Sequence, residues 1–276
     1  GLGDVYKRQV FTQIGFLLHD TGHRQMFRTS LKNHIAGLVI GGLLLGVSYS
    51  WWVDRHNQHH GHPNQLNSDP DIDMPFIAFT EEVAQSRQNF LRFMVKYQAY
   101  FFFPLLLLVA FFQPIWSIQF LLQRKVKHPL TEVLLMILHY VLYFGLLLFR
   151  LNIWQIVLFM IIHYMLYGFY LGSVFAPNHK GMLVLDKDSP MDFLHQQILT
   201  SRNVKAHPLI DFWYGGLNYQ IEHHLFPNMP RNRLRETQRI VKAFCNERSI
   251  LYYETSILQS YKEICLLYTS DAADDL

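Results

Sequence analysis

The run IWQIVLFMIIHYMLYGFYLGSVF, Ile153–Phe175, holds 23 residues without one Asp, Glu, Lys or Arg. A helix rises 1.5 Å per residue, so about 20 apolar residues cross the hydrocarbon core of a bilayer. The run predicts a membrane-spanning helix. It ends in APNHKG, Ala176–Gly181, where the chain turns polar. Working back from it, TEVLLMILHYVLYFGLLLF (Thr131–Phe149) is a second block of spanning length. YQAYFFFPLLLLVAFFQPIWSIQFLL (Tyr97–Leu122) is a third, with Pro104 and Pro114 inside it. Further back, HIAGLVIGGLLLGVSYSWW (His34–Trp52) has an uninterrupted apolar core, Ile35–Val47, of only 13 residues. That core is too short to span and reads as an interfacial or re-entrant helix. Val10–Leu18 reads as the stub of another apolar helix. The expectation is an all-α, polytopic helical membrane protein.

Composition agrees. Half of the 276 residues are hydrophobic and 16% are charged, against about 25% charged in a soluble domain. A net charge of +3, scattered along the chain, excludes an electrostatic nucleic-acid binder. No Walker loop or dinucleotide fingerprint is present; GGLLLG lacks the GxGxxG spacing. The ends, GLGDVYKRQ (1–9) and CLLYTSDAADDL (265–276), resemble translated library-adapter sequence and are set aside from fold reasoning. One domain, 10–264, remains, read as lacking its natural N-terminal part. Within it Cys245 stands alone, so neither an internal disulfide nor a cysteine metal site is expected, which suits a reducing, cytosol-facing setting.

The 15 histidines are the unusual feature. His19 and His23 lie at i, i+4. His56, His59 and His60 lie at i, i+3, i+4, and Gln220, His223 and His224 repeat that pattern. Such positions share one helix face, so each cluster is expected to offer its imidazoles to a single point, as in HExxH helices. Each cluster sits at the polar edge of an apolar block. Seven clustered imidazoles exceed what one zinc ion takes; two ions would use them, and imidazole suits iron, copper and zinc. His179, at the polar end of the last apolar block, is the candidate eighth ligand. Asp69, Asp71 and Asp73 read as a capped turn, a hard-cation site or hydrogen-bond partners of nearby imidazoles. Asp20 and Glu222 invite that last reading too. His139 and His163 read as neutral imidazoles bonded to backbone carbonyls inside apolar blocks. His34, His62, His128, His195 and His207 read as surface residues, with His62 close enough to the second cluster to support it.

If the ligands meet on one side of a membrane, an even number of crossings separates His60 from His223. Three candidate blocks lie there, so one does not cross. Either the Pro-broken first block is re-entrant or the second lies on the surface. Gln123–His128 (QRKVKH) is basic, and Arg231–Arg248 holds six basic against two acidic residues; the positive-inside rule places both in the cytosol.

HDTGH (19–23), HNQHH (56–60) and QIEHH (220–224), in that order, resemble the three histidine boxes of the membrane fatty-acid desaturases. DPDI, FAPNHKG and GLNYQIEHHLFPNMP resemble the front-end and bacterial acyl-CoA branch. The resemblance implies a cytosolic helical cap carrying a two-iron site made by His19, His23, His56, His59, His60, His179, His223 and His224. Gln220, where many members have His, is the weakest ligand of the set and would orient a water or a neighbour instead. It also implies a lipid bilayer, a long-chain acyl substrate (acyl-CoA or acyl-lipid), O2 as co-substrate, and electrons from an external donor. That donor would be cytochrome b5 or ferredoxin with an NAD(P)H reductase. A bacterial inner membrane is the expected location. The opening apolar hairpin of the family is mostly missing here, and no cytochrome b5 haem motif is present. The nearest rival is a hydroxylase or ketolase with the same boxes. A His-rich metal transporter would place its ligands near the bilayer midplane, and a structural membrane protein would hold no stoichiometric metal.

Overall fold

A computed structural model of the chain describes residues 13–123 and 126–270. The terminal segment 1–9, the first residues of the 10–18 stub, two residues of the basic connector 123–128 and the final 271–276 lie outside the described residues. The described residues are mostly helical, as expected, and the strands among them are two residues long. They form two compact units, one of residues up to 55 plus 106–172, the other of 56–105 plus 173 onward.

In the first unit, α1 (13–22) carries His19 in its last turn. α2 (Ser30–Leu38) starts on Thr29, whose side chain accepts from the Lys32 backbone N–H. It runs on as a π-helix, Val39–Leu45, ended by Gly46 at φ 70°, a left-handed conformation that suits glycine. The chain then bends by 110° into α3 (Tyr49–Gly61). The 13-residue apolar core is therefore not a straight rod. Leu38, Ile40, Leu45, Val47, Tyr49 and Trp51 build its packed core with Leu18 of α1. Gly42 brings the π-helix against α8 (Pro129–Leu148); a Cβ there would sit 2.7 Å from that of Leu135. Small residues allow such close helix approach.

The start of α3 is tied down by buried polar groups. Ser48 Oγ accepts from the Trp51 N–H at 3.1 Å, an N-cap. The carboxylate of Glu132, buried in the first turn of α8, takes the Ser48 hydroxyl at 2.6 Å and the Ser50 N–H at 3.2 Å. Ser50 Oγ donates to it as well. A negative group at a helix N-terminus also meets the positive end of the helix dipole.

The Pro-broken block is two helices, α6 (Gln98–Leu106) and α7 (Val109–Gln123). The other two blocks are continuous: α8 and α9 (Ile153–His179), long and apolar enough to cross a membrane. α9 outlasts the apolar run by a turn and ends on His179. His139 of α8 bonds the Leu43 carbonyl at 2.9 Å, as expected. His163 Nδ1 faces the Tyr143 hydroxyl at 2.9 Å.

The second unit is built on short helices: α4 (Glu81–Ser86), α5 (Asn89–Lys96), α10 (Phe193–Leu199), α11 (Pro208–Trp213), α12 (Gln220–Leu225), α13 (Arg231–Glu247) and α14 (Ile257–Ser270). A parallel pair, β1 (Asn203–Val204) with β2 (Glu254–Thr255), runs beneath α12. Ile198 of α10, Ile221 of α12, and Val241 and Cys245 of α13 share one apolar core.

Candidate metal centre

α3 delivers His56, His59 and His60; α12 delivers Gln220, His223 and His224; the last residue of α9 is His179. In the second unit these rings sort into two groups. The ligand nitrogens of His59, His179 and His224 lie within 4.8 Å of one another, and so do those of His56, His60 and His223. The groups are neighbours, since the His60 and His224 rings stack at 4.3 Å.

This corrects one expectation. HNQHH and QIEHH do not each aim at a single point; each divides between two, whereas His19 and His23 stay together. Consecutive residues on a helix diverge by about 100°, so His59 and His60, like His223 and His224, face different ways. His56 and His60, four apart, stay together, with their Nε2 atoms 3.1 Å apart. The His223 Nε2 closes on the same His60 atom at 3.1 Å.

The first group is the better defined. His59 Nδ1 lies 3.0 Å from Asp69 Oδ2, an atom that also accepts the Asn64 N–H at 2.8 Å. His179 Nδ1 lies 3.1 Å from the Thr200 carbonyl. His224 Nδ1 lies 2.8 Å from Gln197 Oε1, while Gln197 Nε2 donates to the His60 carbonyl at 3.1 Å. Carbonyl and carboxylate oxygens accept, so each Nδ1 carries the proton and each Nε2 keeps its lone pair. The network, not a visible hydrogen, assigns these tautomers. The lone pairs converge: His59 Nε2 faces His179 Nε2 at 3.3 Å. Imidazoles with one nitrogen anchored to an acceptor and the other aimed inward are how proteins prepare histidine for a metal. The donor set therefore fits a cation.

Gln220 is oriented by Asn178. Asn178 Nδ2 donates to the Leu217 carbonyl at 3.1 Å and to Gln220 Oε1 at 2.9 Å. The Gln220 amide nitrogen is thereby turned to His179 Nε2 at 3.0 Å.

In the first unit His19 and His23 are both buried, with ring centroids 4.6 Å apart. The His23 N–H bonds the His19 carbonyl at 3.1 Å, which sets the i, i+4 relation. Asp20 Oδ1 lies 3.7 Å from His19 Nδ1, longer than the hydrogen bond its supporting role would make.

Of the other acids, Asp69 serves both as turn cap and as partner of an imidazole: its Oδ1 accepts the Asp71 N–H at 2.9 Å. Asp71 Oδ2 is 3.7 Å from His59 Nδ1, and Asp73 is exposed. Glu222 corrects its expectation. Its oxygens take Asn203 Nδ2 at 2.6 Å and the Tyr252 hydroxyl at 2.8 Å, and no bond joins it to an imidazole. At its position the α12 side chain turns toward β1, not toward the rings. Burial raises its carboxyl above the ordinary range, against the pull of those two donors. His62 is exposed and bonds Gln65 Oε1 at 2.8 Å; His195 pairs with Asp192, and His207 caps α11.

Sequence reasoning missed Gln197, Thr200, Asn64 and Asn203. Asn64 alone left a signal, in HPN: it holds a left-handed φ of 52°, which Asn tolerates, and its Nδ2 donates to the His179 carbonyl at 2.9 Å.

The chain matches the fatty acid desaturase family over residues 8–256. It is 36% identical to an acyl-lipid (9-3)-desaturase of Physcomitrium patens, over 90% of this chain and 48% of that protein. It is 33% identical to the Delta(6)-fatty-acid desaturase fat-3 of Caenorhabditis elegans, over 90% of this chain and 59% of that protein. A Delta(8)-fatty-acid desaturase of Euglena gracilis is 31% identical, over 91% of this chain and 62% of that protein. The chain thus spans about half to three-fifths of the length of these relatives.

Proposed function

We propose that this chain, which belongs to the fatty acid desaturase family, is the catalytic part of an acyl-chain desaturase whose two histidine groups hold two iron ions. The observation that carries the reading is the convergence of the His59, His179 and His224 ligand nitrogens within 4.8 Å of one another, each ring anchored at Nδ1 on an acceptor.

His59, His179 and His224 would hold one ion; His56, His60 and His223 would contribute to the other. His19 and His23 complete the proposed ligand set. The buried pairing of their rings and the donor chemistry of HDTGH support them. Gln220 is read as orienting His179, because Asn178 holds the amide oxygen that a metal would need. Asp69, Thr200 and Gln197 fix the three tautomers.

An unactivated methylene has no acidic proton, so side-chain acid–base chemistry cannot break it. Iron bound at the two groups would supply the oxidising power, with O2. Overall the acyl chain loses two hydrogens from neighbouring carbons as a cis double bond forms. O2, with those two hydrogens, two further electrons and two protons, becomes two waters. The protein's task is to hold neutral imidazoles in place and keep bulk water out; His59, His179, His223 and His224 are all at most 5% exposed. The two electrons come from a separate donor, cytochrome b5 or ferredoxin with an NAD(P)H reductase. On this reading the centre faces the cytosol from a bacterial inner membrane; the basic residues from Arg231 to Arg248 support the cytosolic side. The relatives' names, all desaturases, favour double-bond formation over hydroxylation.

The test is expression of a full-length parent in a desaturase-deficient host, with lipid profiling by mass spectrometry. A new unsaturated acid that disappears when His223 and His224 are replaced by Ala supports the reading. An alcohol in its place assigns a hydroxylase. Absence of stoichiometric iron from the active, purified protein ends the two-iron reading.

A further inference from the structure

The last carbonyls of an α-helix have no partner within the helix. α9 ends on His179, so its orphan carbonyls lie beside a proposed ligand. The Ala176 carbonyl takes the Lys180 N–H at 2.9 Å. The next, on Pro177, takes Nε of Arg202. Asn178 takes the Arg202 backbone N–H at 2.9 Å, and His179 takes Asn64 Nδ2 at 2.9 Å. The Lys180 carbonyl takes Nη2 of Arg202. A single arginine therefore closes the carbonyls on both sides of His179.

The other arm of its guanidinium, Nη1, pairs with the Glu263 carboxylate of α14. Glu263 Oε1 also accepts the Tyr253 hydroxyl at 2.5 Å and Gln259 Nε2 at 3.0 Å. Arg202 is fully buried. A buried charge is costly unless it is paired and hydrogen-bonded, and this one also meets the negative end of the α9 dipole. Its planar fork aims donors in fixed directions, as carbonyls and a carboxylate at set places require.

Asn203 does the converse at α12. The first N–H groups of a helix are orphans, and the N-cap residue Tyr219 supplies no side-chain acceptor. Asn203 Oδ1 accepts the Ile221 N–H at 2.9 Å. Its Nδ2 donates to Glu222 Oε2 at 2.6 Å and to the Tyr252 hydroxyl at 2.5 Å. The same stretch holds two rings of one group: His224 Nδ1 bonds Gln197 Oε1 and His179 Nδ1 bonds the Thr200 carbonyl. Residues 197–203 thus carry both ring acceptors, the clamp on the end of α9 and the cap on the start of α12.

We infer that Arg202 is a positioning residue for the metal centre: with Asn203 it locks the end of α9 to the start of α12, and so fixes where His179 stands relative to His224. It acts through the backbone of α9. The inference deepens the proposed function and rests on its assignment of both rings to one ion.

The experiment uses the full-length parent in phosphatidylcholine nanodiscs with R202M, R202K, N203A and V95A. Val95 is buried beside Ala78 and Ala84 in the same unit, so V95A stands for destabilisation without a link to residues 197–203. The first readout is hydrogen–deuterium exchange of the metal-stripped protein, which needs no iron. R202M and R202K should speed exchange about tenfold in the peptide covering 176–182, and N203A in that covering 218–225, with V95A moving neither. The second is ferrous ion retained against graded ferrozine. One of the two irons should be lost about 10–100-fold more readily in R202M and R202K, the other held as in the parent. The third is the thermal midpoint. R202K keeps the charge beside Glu263 and should lie nearer the parent than R202M in midpoint, yet not in iron retention, because an ammonium cannot span both carbonyls. Should R202M fail to fold, R202K carries the same test. Exchange at the helix ends no faster than in V95A overturns the inference, and so does iron held as tightly as in V95A. A parent that binds no iron ends the two-iron reading instead, and exchange then decides whether Arg202 locks the two helix ends.

Discussion

The Nε2 atoms of His59 and His179 face each other at 3.3 Å while the Nδ1 atoms of both rings are committed to acceptors. Rings anchored at Nδ1 with Nε2 aimed inward are arranged as metal-binding imidazoles are. His179→Ala is expected to lower iron in the purified full-length parent from two per chain toward one and to abolish desaturation. His60→Ala should do the same through the other group. Elemental analysis by mass spectrometry decides; full iron retention in both variants would remove the metal assignment.

Orientation of the rings should be separable from ligation. Gln197→Leu deletes both the acceptor on His224 and the donor to the His60 carbonyl; iron affinity should drop about 10–100-fold. Gln197→Glu keeps the acceptor and should lose less. Asp69→Asn, which keeps the shape but removes the charge beside His59, should fall between the two. Competition with a calibrated chelator gives the order, and equal losses in all three would show that tautomer control is not at work.

Acid should release the metal. Each donor must be a neutral imidazole to bind, so protons compete for the same nitrogens as pH falls. Iron retained per chain after equilibration from pH 8 to pH 5 should fall over that range. Retention that is flat with pH would contradict an all-imidazole site.

Glu222 predicts a pH effect of its own. Its folded-state affinity for a proton is raised, chiefly by burial, above the ordinary value of 4.5. A carboxyl of that kind contributes stability that is fully present below its unfolded pKa and lost as pH rises through the folded one. Comparing the thermal midpoints of the parent and Glu222→Gln in detergent isolates this term. The parent's margin should shrink as pH climbs from about 4.5 toward neutrality. A margin that grows would mean the carboxylate is stabilised where it sits.

Gly42 tests packing in the first unit. A Cβ there would lie 2.7 Å from that of Leu135, a contact that only backbone movement relieves. Gly42→Ala is expected to cost about 1–3 kcal/mol, read as a lowered thermal midpoint. A neutral result would mean that the π-helix and α8 separate freely.

The sequence alone determined what can be read from spacing and solubility. The uncharged run from Ile153 made a spanning helix necessary, because a backbone in lipid must satisfy its own hydrogen bonds. The i, i+3, i+4 positions of His56, His59 and His60 put several imidazoles on one helix, and their box order carried the family resemblance. Tertiary structure decided what spacing leaves open. Adjacent imidazoles on a helix point about 100° apart, so the division of HNQHH and QIEHH between two groups depends on which helices approach from each side. The partners that set the tautomers, Asp69, Thr200 and Gln197, come from three separate stretches. The carboxylate that caps α3 comes from Glu132, 84 residues away. A hydrogen bond between distant residues leaves no periodic mark in a chain, since its two ends are joined only when the packing of apolar faces has placed them.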